Sequence, residues 1–195
     1  WNDDATLYIK GGQKYVATEV VVEGDFSNSA FLEAFNTIGG EVAVEGLDMT
    51  AAQGDKVYFD YFSRLMEGRA KLNISDCPDL GPILFVVAAA NYGGDFTGTK
   101  RLAIKESDRG RVMCEELGKF GVVTHMEEDS VFIEPGEIAV PKEELFGHND
   151  HRIVMALSTL LTITGGSIEG VEAVKKSYPD YFECIKRLGI KLKLS

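Results

Sequence analysis

Apolar residues along the chain follow two rhythms, one of period two and one of helical spacing. Leu7 to Lys10 and Thr18 to Val22 alternate apolar and polar positions, are rich in β-branched and aromatic residues, and flank Gly11-Gly12, which predicts an opening hairpin. From Glu23-Gly24-Asp25 the spacing becomes helical, with Ala30, Phe31, Ala34, Phe35 and Ile38 on one face. Gly39-Gly40 stops that helix, and Val42 to Val44 reads as a strand. Asp55 then stands where a cap would, before Val57, Phe59, Phe62 and Leu65. Gly68 closes this second helix, and Ala70 to Ile74 reads as a strand.

The same order returns twice further on. The apolar segments Ile83 to Tyr92 and Ile153 to Ile163 run into Gly93-Gly94 and Gly165-Gly166, as Ala30 to Ile38 runs into Gly39-Gly40. An Asp-led helix follows each stop, beginning at Asp55, Asp108 and Asp180, carrying Leu65, Leu117 and Leu188, and closing at Gly68, Gly121 and Gly189. The middle unit adds a hairpin, Val122 to Met126 and Val131 to Ile133, and a loop through Pro135 and Pro141. The last unit ends in a short strand, Ile190 to Leu194. A repeated β/α unit predicts an α/β fold with three sheets around a shared bundle of helices. If the units are related by rotation, equivalent helix N-termini face one end, where each favours an anion. An ordinary α/β domain, whose caps serve only their own helices, is the plain alternative.

Composition narrows the classes. The 195 residues are 45% hydrophobic and 26% charged, and a chain of this size buries about two thirds of its unfolded surface. A net charge of −11 argues against a nucleic-acid partner, since phosphate neutralisation needs clustered cations. Any anion site must therefore be local. Cys77, Cys114 and Cys184 are odd in number and widely spaced, which suits a reducing cytoplasm better than a disulfide framework or a zinc site. The apolar runs are shorter than the roughly 20 residues that span a bilayer, so no membrane partner is expected. The opening Trp1-Asn2-Asp3-Asp4 has no leader pattern and reads as the downstream part of a longer polypeptide.

Four polar clusters stand at the expected helix N-termini. Asp79 precedes the apolar run from Pro82 and could simply cap it. Lys105, Glu106, Ser107, Asp108 and Arg109 form the second cluster. Asp108 can cap the following helix, and Glu106 and Arg109, three apart, can share one side of its first turn. A surface ion-pair network is the bland reading of the same residues. His148 and His151, in His148-Asn149-Asp150-His151-Arg152, have the spacing of two metal ligands without a third, so no metal is expected. Lys175 and Lys176 lead the last helix and could be merely solvated. Convergence of the N-termini would bring Asp79, Lys105, Glu106, Arg109, His151, Arg152 and Lys176 to one face, a set suited to binding an anion and moving protons.

Five stretches in order carry a resemblance. Glu23-Gly24-Asp25, Pro78-Asp79, Lys105 to Arg109, Asn149 to Ala156 and Lys176 to Phe182 resemble the motif set of the 5-enolpyruvylshikimate-3-phosphate (EPSP) synthase family across the whole chain. The resemblance implies one lobe of the enolpyruvyl transferase fold, an inside-out α/β barrel of pseudo-threefold β/α repeats. Residues 1–22 would be the terminal hairpin of the N-terminal lobe and 23–195 the C-terminal lobe. It implies transfer of the enolpyruvyl group of phosphoenolpyruvate to the 5-hydroxyl of shikimate 3-phosphate, with phosphate released through a tetrahedral ketal. No cofactor is implied. The setting would be the cytoplasmic shikimate pathway to chorismate and the aromatic amino acids, in a full-length monomer that is the target of glyphosate.

By the same resemblance Lys105, Arg109, Arg152 and Lys176 would hold the phosphate and carboxylate of phosphoenolpyruvate. Asp79 would bind shikimate 3-phosphate and accept its hydroxyl proton, and Glu106 would donate a proton beside His151, with Lys176 counted among the catalytic groups. Ala103 stands where many members carry Arg. Lys105 and Arg109 flank Glu106 and favour its ionised form, so the expectation is that donation awaits an anionic ligand. The partner implied is the N-terminal lobe, so this chain is expected to fold without turning over alone. The related readings are the UDP-N-acetylglucosamine enolpyruvyl transferases, against which Asn149 to Ala156 argues, and a non-catalytic phosphate-binding lobe.

Overall fold

Asp25 opens the first helix by accepting hydrogen bonds from the backbone of Ser27 at 2.8 Å and Asn28 at 3.2 Å. The computed structural model describes residues 6–194, so residues 1–5 of the expected hairpin and Ser195 lie outside it. The helix α1, Phe26–Glu33, tightens into a 3-10 turn over Ala34–Ile38 and ends at Gly39, whose φ of 94° suits glycine. The strand expected at Val42 to Val44 is absent from the ladders. The Asn36 side chain occupies its edge instead, accepting from Val42 N at 2.6 Å and donating to Val42 O at 2.8 Å. Asp55 is likewise not a cap. A 3-10 turn, Gly54–Val57, leads into α2, Tyr58–Glu67, and the Asp55 carboxylate accepts from the Ser27 hydroxyl.

The next stretch folds as anticipated. Strand β1, Ala70–Asn73, crosses through α3, Gly81–Ala90, to the parallel strand β2, Gly94–Thr97, pairing Ala70 with Gly94 and Asn73 with Thr97. Gly93 makes the turn with φ 75°, and a Cβ there would lie 2.5 Å from the Ile133 carbonyl oxygen, so only glycine fits. After α4, Arg109–Lys119, the hairpin β3, Thr124–Met126, and β4, Ser130–Ile133, completes a sheet of order β1-β2-β4-β3. A second parallel crossover joins β5, Leu145–Phe146, through α5, His151–Thr164, to β6, Ile168–Glu169; α6, Tyr181–Arg187, follows.

The core centres on α3 and α5. From Gly81 to Ala89 every residue of α3 is buried, because the run is apolar on all sides and packs against α2, α4 and α5. Each fully buried Leu, Val or Phe there contributes about 1.5–3 kcal/mol. Two of the three expected sheets form among the described residues. Residues 6–22 and 190–194 adopt no strand, and Leu7, Ile9, Val16, Val20, Val21 and Val22 are exposed. A strand exists only against a partner edge, so β-rich sequence alone does not make these segments strands.

Candidate active site

The Asp79 carboxylate is where three cations meet. It lies in the turn Pro78–Leu80, ahead of α3, and caps nothing. Its Oδ1 accepts from Arg109 Nη1 at 2.8 Å and Lys105 Nζ at 3.0 Å, and its Oδ2 lies 3.4 Å from Arg152 Nη2. Burial alone would raise its pKa, but Arg152, Lys105 and Arg109 outweigh burial and hold it below the usual carboxylate range.

Arg109, 2% exposed, is the first residue of α4, set there by the Asp108 cap, whose side chain accepts from Arg111 N at 3.2 Å. Its guanidinium also forks onto Asp150, Nε to Oδ2 at 2.8 Å and Nη2 to Oδ1 at 3.2 Å. Asp150 is fully buried at 0% exposure. It caps α5 through Arg152 N at 3.0 Å and accepts from the Ser107 hydroxyl at 3.0 Å. Burial pushes the Asp150 carboxyl up, but its bonds to Arg109, Arg152 N and Ser107 bring the balance below the ordinary value.

Glu106 is placed differently from its expected position. It precedes α4 rather than sharing its first turn, and its Oε2 lies 2.9 Å from His151 Nδ1. Lys105 and Arg109 turn away from it toward Asp79, so its close polar partner is the His151 imidazole rather than the flanking cations. Burial lowers the His151 pKa more than Glu106 raises it, and Arg152 lowers it further. The neutral ring this favours can donate Nδ1–H to Glu106 and leave Nε2 open to accept.

Arg152 lies over the Phe31 ring, with Cζ 5.9 Å from the centroid, and donates to the Asp79 carbonyl at 3.2 Å. Burial presses its pKa down while Asp79 supports its charge. Lys176 Nζ donates to the Asn149 carbonyl, and Asn28 Nδ2 donates to Ser177 Oγ at 3.3 Å, so the N-terminal ends of α1 and α5 and the turn before α6 come together.

All seven predicted site residues therefore belong to one connected region. His148 does not join His151; its ring turns to Glu116 at 2.9 Å. Asp150 and Ser107 carry as much of the geometry as the predicted residues. Asp150 stands in the His148 to Arg152 stretch without a role of its own in the sequence reading, because its pairing with Arg109 spans 41 residues and leaves no local pattern. Among the described residues Glu106, Asp150 and His151 bring ligand atoms within 4.8 Å of one another, close enough for a metal. Both Asp150 oxygens are already taken by Arg109, Ser107 and Arg152 N, and the guanidiniums beside them disfavour a second cation.

Fold and site together define an α/β lobe in which helix N-termini gather cations around a carboxylate, next to a His–Glu pair able to carry a proton. Residues 63–185 match the model of the EPSP synthase (3-phosphoshikimate 1-carboxyvinyltransferase) family, and the chain belongs to that family. It is 37% identical over 201 residues to the 3-phosphoshikimate 1-carboxyvinyltransferase of Clostridium acetobutylicum, covering 94% of this chain and 47% of that protein. The enzyme of the same name from Clostridium perfringens is 34% identical over 208 residues, with 96% and 49% covered. The chain thus spans about half the length of the curated relatives it matches. The EPSP synthase structure from Acinetobacter baumannii superposes with a TM-score of 0.78 at 26% identity, covering 94% of this chain and 50% of that one. The enolpyruvyl transferase NikO from Streptomyces tendae shares the fold with a TM-score of 0.61 at 15% identity, over 89% and 45%.

Proposed function

We propose that this chain is one lobe of a 3-phosphoshikimate 1-carboxyvinyltransferase, with residues 23–195 forming the lobe and 1–22 the link to its partner lobe. The observation that carries the reading is the meeting of Lys105, Arg109 and Arg152 on Asp79 beside the His151–Glu106 pair. Those cations fit the phosphate and carboxylate of phosphoenolpyruvate, with Lys176 as a further point charge. The Asp79 carboxylate serves as base for the 5-hydroxyl of shikimate 3-phosphate. As that oxygen bonds to C2 of phosphoenolpyruvate, Glu106 protonates C3, and a tetrahedral ketal forms. Loss of a C3 proton and cleavage of the C2–O bond to phosphate then restore the C2=C3 double bond, now as the enolpyruvyl ether, and release phosphate.

The internal ion pairs give this scheme a trigger. While Asp79 holds three cations its basicity is suppressed. An incoming phosphate that takes those cations releases the carboxylate and raises its affinity for a proton. The second lobe supplies the rest of the cleft, and the whole acts in the cytoplasm. No helix among the described residues is long and apolar enough to cross a membrane.

Phosphate release from phosphoenolpyruvate and shikimate 3-phosphate tests the reading, with this chain alone and joined to the complementary half of a relative. Turnover is expected only in the joined protein, and glyphosate is expected to inhibit it. Ordinary turnover by the chain alone would refute the half-site, and none in the joined protein would refute the activity.

A further inference from the structure

Glu116 is a buried carboxylate that no step above uses. It lies on α4 two turns beyond Arg109, on the same face, and is 2% exposed. Its partners come chiefly from the stretch that leads into α5. His148 Nε2 lies 2.9 Å from Oε1, Phe146 N donates to Oε2 at 3.1 Å, and Lys119 Nζ, 2.9 Å from Oε2, also donates to the Glu144 carbonyl at 2.9 Å. The Phe146 and His148 rings meet edge to face with centroids 5.0 Å apart.

The held segment is strained. His148 and Asn149 have φ of 50° and 53°, the non-glycine residues with positive φ among those described. Such a conformation costs a residue with a Cβ about 1–2 kcal/mol, less for Asn than for His, so His148 leans most on its surroundings to keep it. Here the left-handed pair points the Asn149 carbonyl at Lys176 and delivers Asp150 as the cap of α5, followed by His151 and Arg152. Two residues of α4 thus grip both ends of one turn, Arg109 on Asp150 and Glu116 on His148 and Phe146.

We propose that Glu116 is a positioning residue for the anion site: through His148 it holds residues 148–149 left-handed, so that Lys176 and Arg152 face the ligand. The inference rests on the anion-binding reading above and adds a residue to it. It predicts that losing the clamp disorders the site by relaxing the turn, and that a residue content with positive φ can replace the clamp.

The experiment compares this chain with Glu116→Ala, Glu116→Gln, and Glu116→Ala combined with Asn149→Gly. Calorimetry measures inorganic phosphate and phosphoenolpyruvate binding, and NMR measures the 13Cα shifts of residues 148 and 149 and the ring 15N shifts of His151. Glu116→Ala is expected to weaken anion binding by about tenfold, move the 13Cα shifts of residues 148 and 149 toward those of right-handed or extended backbone, and change the His151 ring shifts. Asn149→Gly, at a residue outside the hydrogen bonds of Glu116, accepts positive φ at little cost and is expected to restore affinity to within about threefold. Glu116→Gln keeps the volume and one acceptor, and should show a smaller loss in the same direction if the alanine variant does not fold. Unchanged affinity and shifts in the Glu116 variants, or a loss that follows melting temperature and is not repaired by Asn149→Gly, would overturn the proposal. If the unaltered chain binds neither anion, the site reading fails, and the 13Cα shifts alone decide whether Glu116 holds the turn.

Discussion

Arg109 and Asp150 form a two-point ion pair, 2.8 Å and 3.2 Å, in which both partners are almost wholly removed from solvent. Burying the two charges offsets much of their attraction, so the pair is worth little against an apolar replacement of both. Its rupture is another matter, because one charge then remains buried and uncompensated.

Arg109→Ala is therefore expected to cost about 3–5 kcal/mol of folding stability. For a chain of this size that is a fall of roughly 10 °C in melting temperature, read by calorimetry. Arg109→Lys should recover only part of it, since an ammonium cannot reproduce the fork on Asp150 while reaching Asp79. A melting temperature unchanged in Arg109→Ala would show that the pair does not hold the fold.

Asp79→Asn removes the negative charge on which Lys105, Arg109 and Arg152 converge. With those cations unspent, inorganic phosphate should bind this chain about tenfold more tightly, as calorimetry would show. In a joined two-lobe protein the same variant should lose turnover if Asp79 is the base proposed above. Tighter binding with lost turnover separates the two duties of Asp79; wild-type turnover in both Asp79→Asn and Arg109→Ala would end the assignment.

Acid should destabilise the fold in two stages. His151 is held below its ordinary pKa, so the unfolded chain takes up its proton first and stability falls as pH drops below about 6.5. Asp79 and Asp150 are held below theirs, so their contribution is complete above about 4 and is lost as pH falls through their folded values. Half-buried Asp55 runs the other way, raised chiefly by burial, and tempers the second stage. Urea unfolding between pH 8 and pH 3 should show both stages, about those pH values, and His151→Gln should delete the upper one. One stage only, below pH 4 or so in the unaltered chain, would contradict the His151 environment.

Burial pushes the Cys77 thiol up to about 12 and the Cys114 thiol upward as well. Since the thiolate is the reactive species, iodoacetamide near pH 8 should leave Cys77 unmodified in the folded chain and label it on denaturation. Mass spectrometry of digests gives the readout. Rapid labelling of Cys77 in the native state would show that the turn before Asp79 opens readily.

Much of this site is legible in the order of residues alone. Asp108 acts as the cap its position suggests, because a capping side chain needs only its own next few residues. Asp55 and Asp79 look the same in sequence and cap nothing, because Ser27, Lys105, Arg109 and Arg152 outcompete the local backbone from far along the chain. The glycine stops at Gly39, Gly93 and Gly165 are legible because positive φ is a property of a single residue. The third sheet is not, because pairing is a property of two segments. Val42 illustrates this: its backbone meets an asparagine side chain rather than a strand. Glu116 gives no signal of its own, because an acid three residues before a lysine on a helix reads as a surface pair, and only burial shows otherwise.

The site stands at the mouths of α3 and α5, which lie deep in the core. This placement sets how the site can move in time. Hydrogen-bonded amides in the body of a buried helix exchange with solvent only when that helix opens, and α3 has no exposed face along which to peel. The bodies of α3 and α5, on which Asp79, Asp150, His151 and Arg152 are mounted, should thus exchange with deuterium nearly as slowly as the whole chain unfolds. Fast rearrangement on ligand arrival is left to the ends of Lys105, Lys176 and Glu106, whose side chains are less buried than those of Arg109, His151 and Arg152.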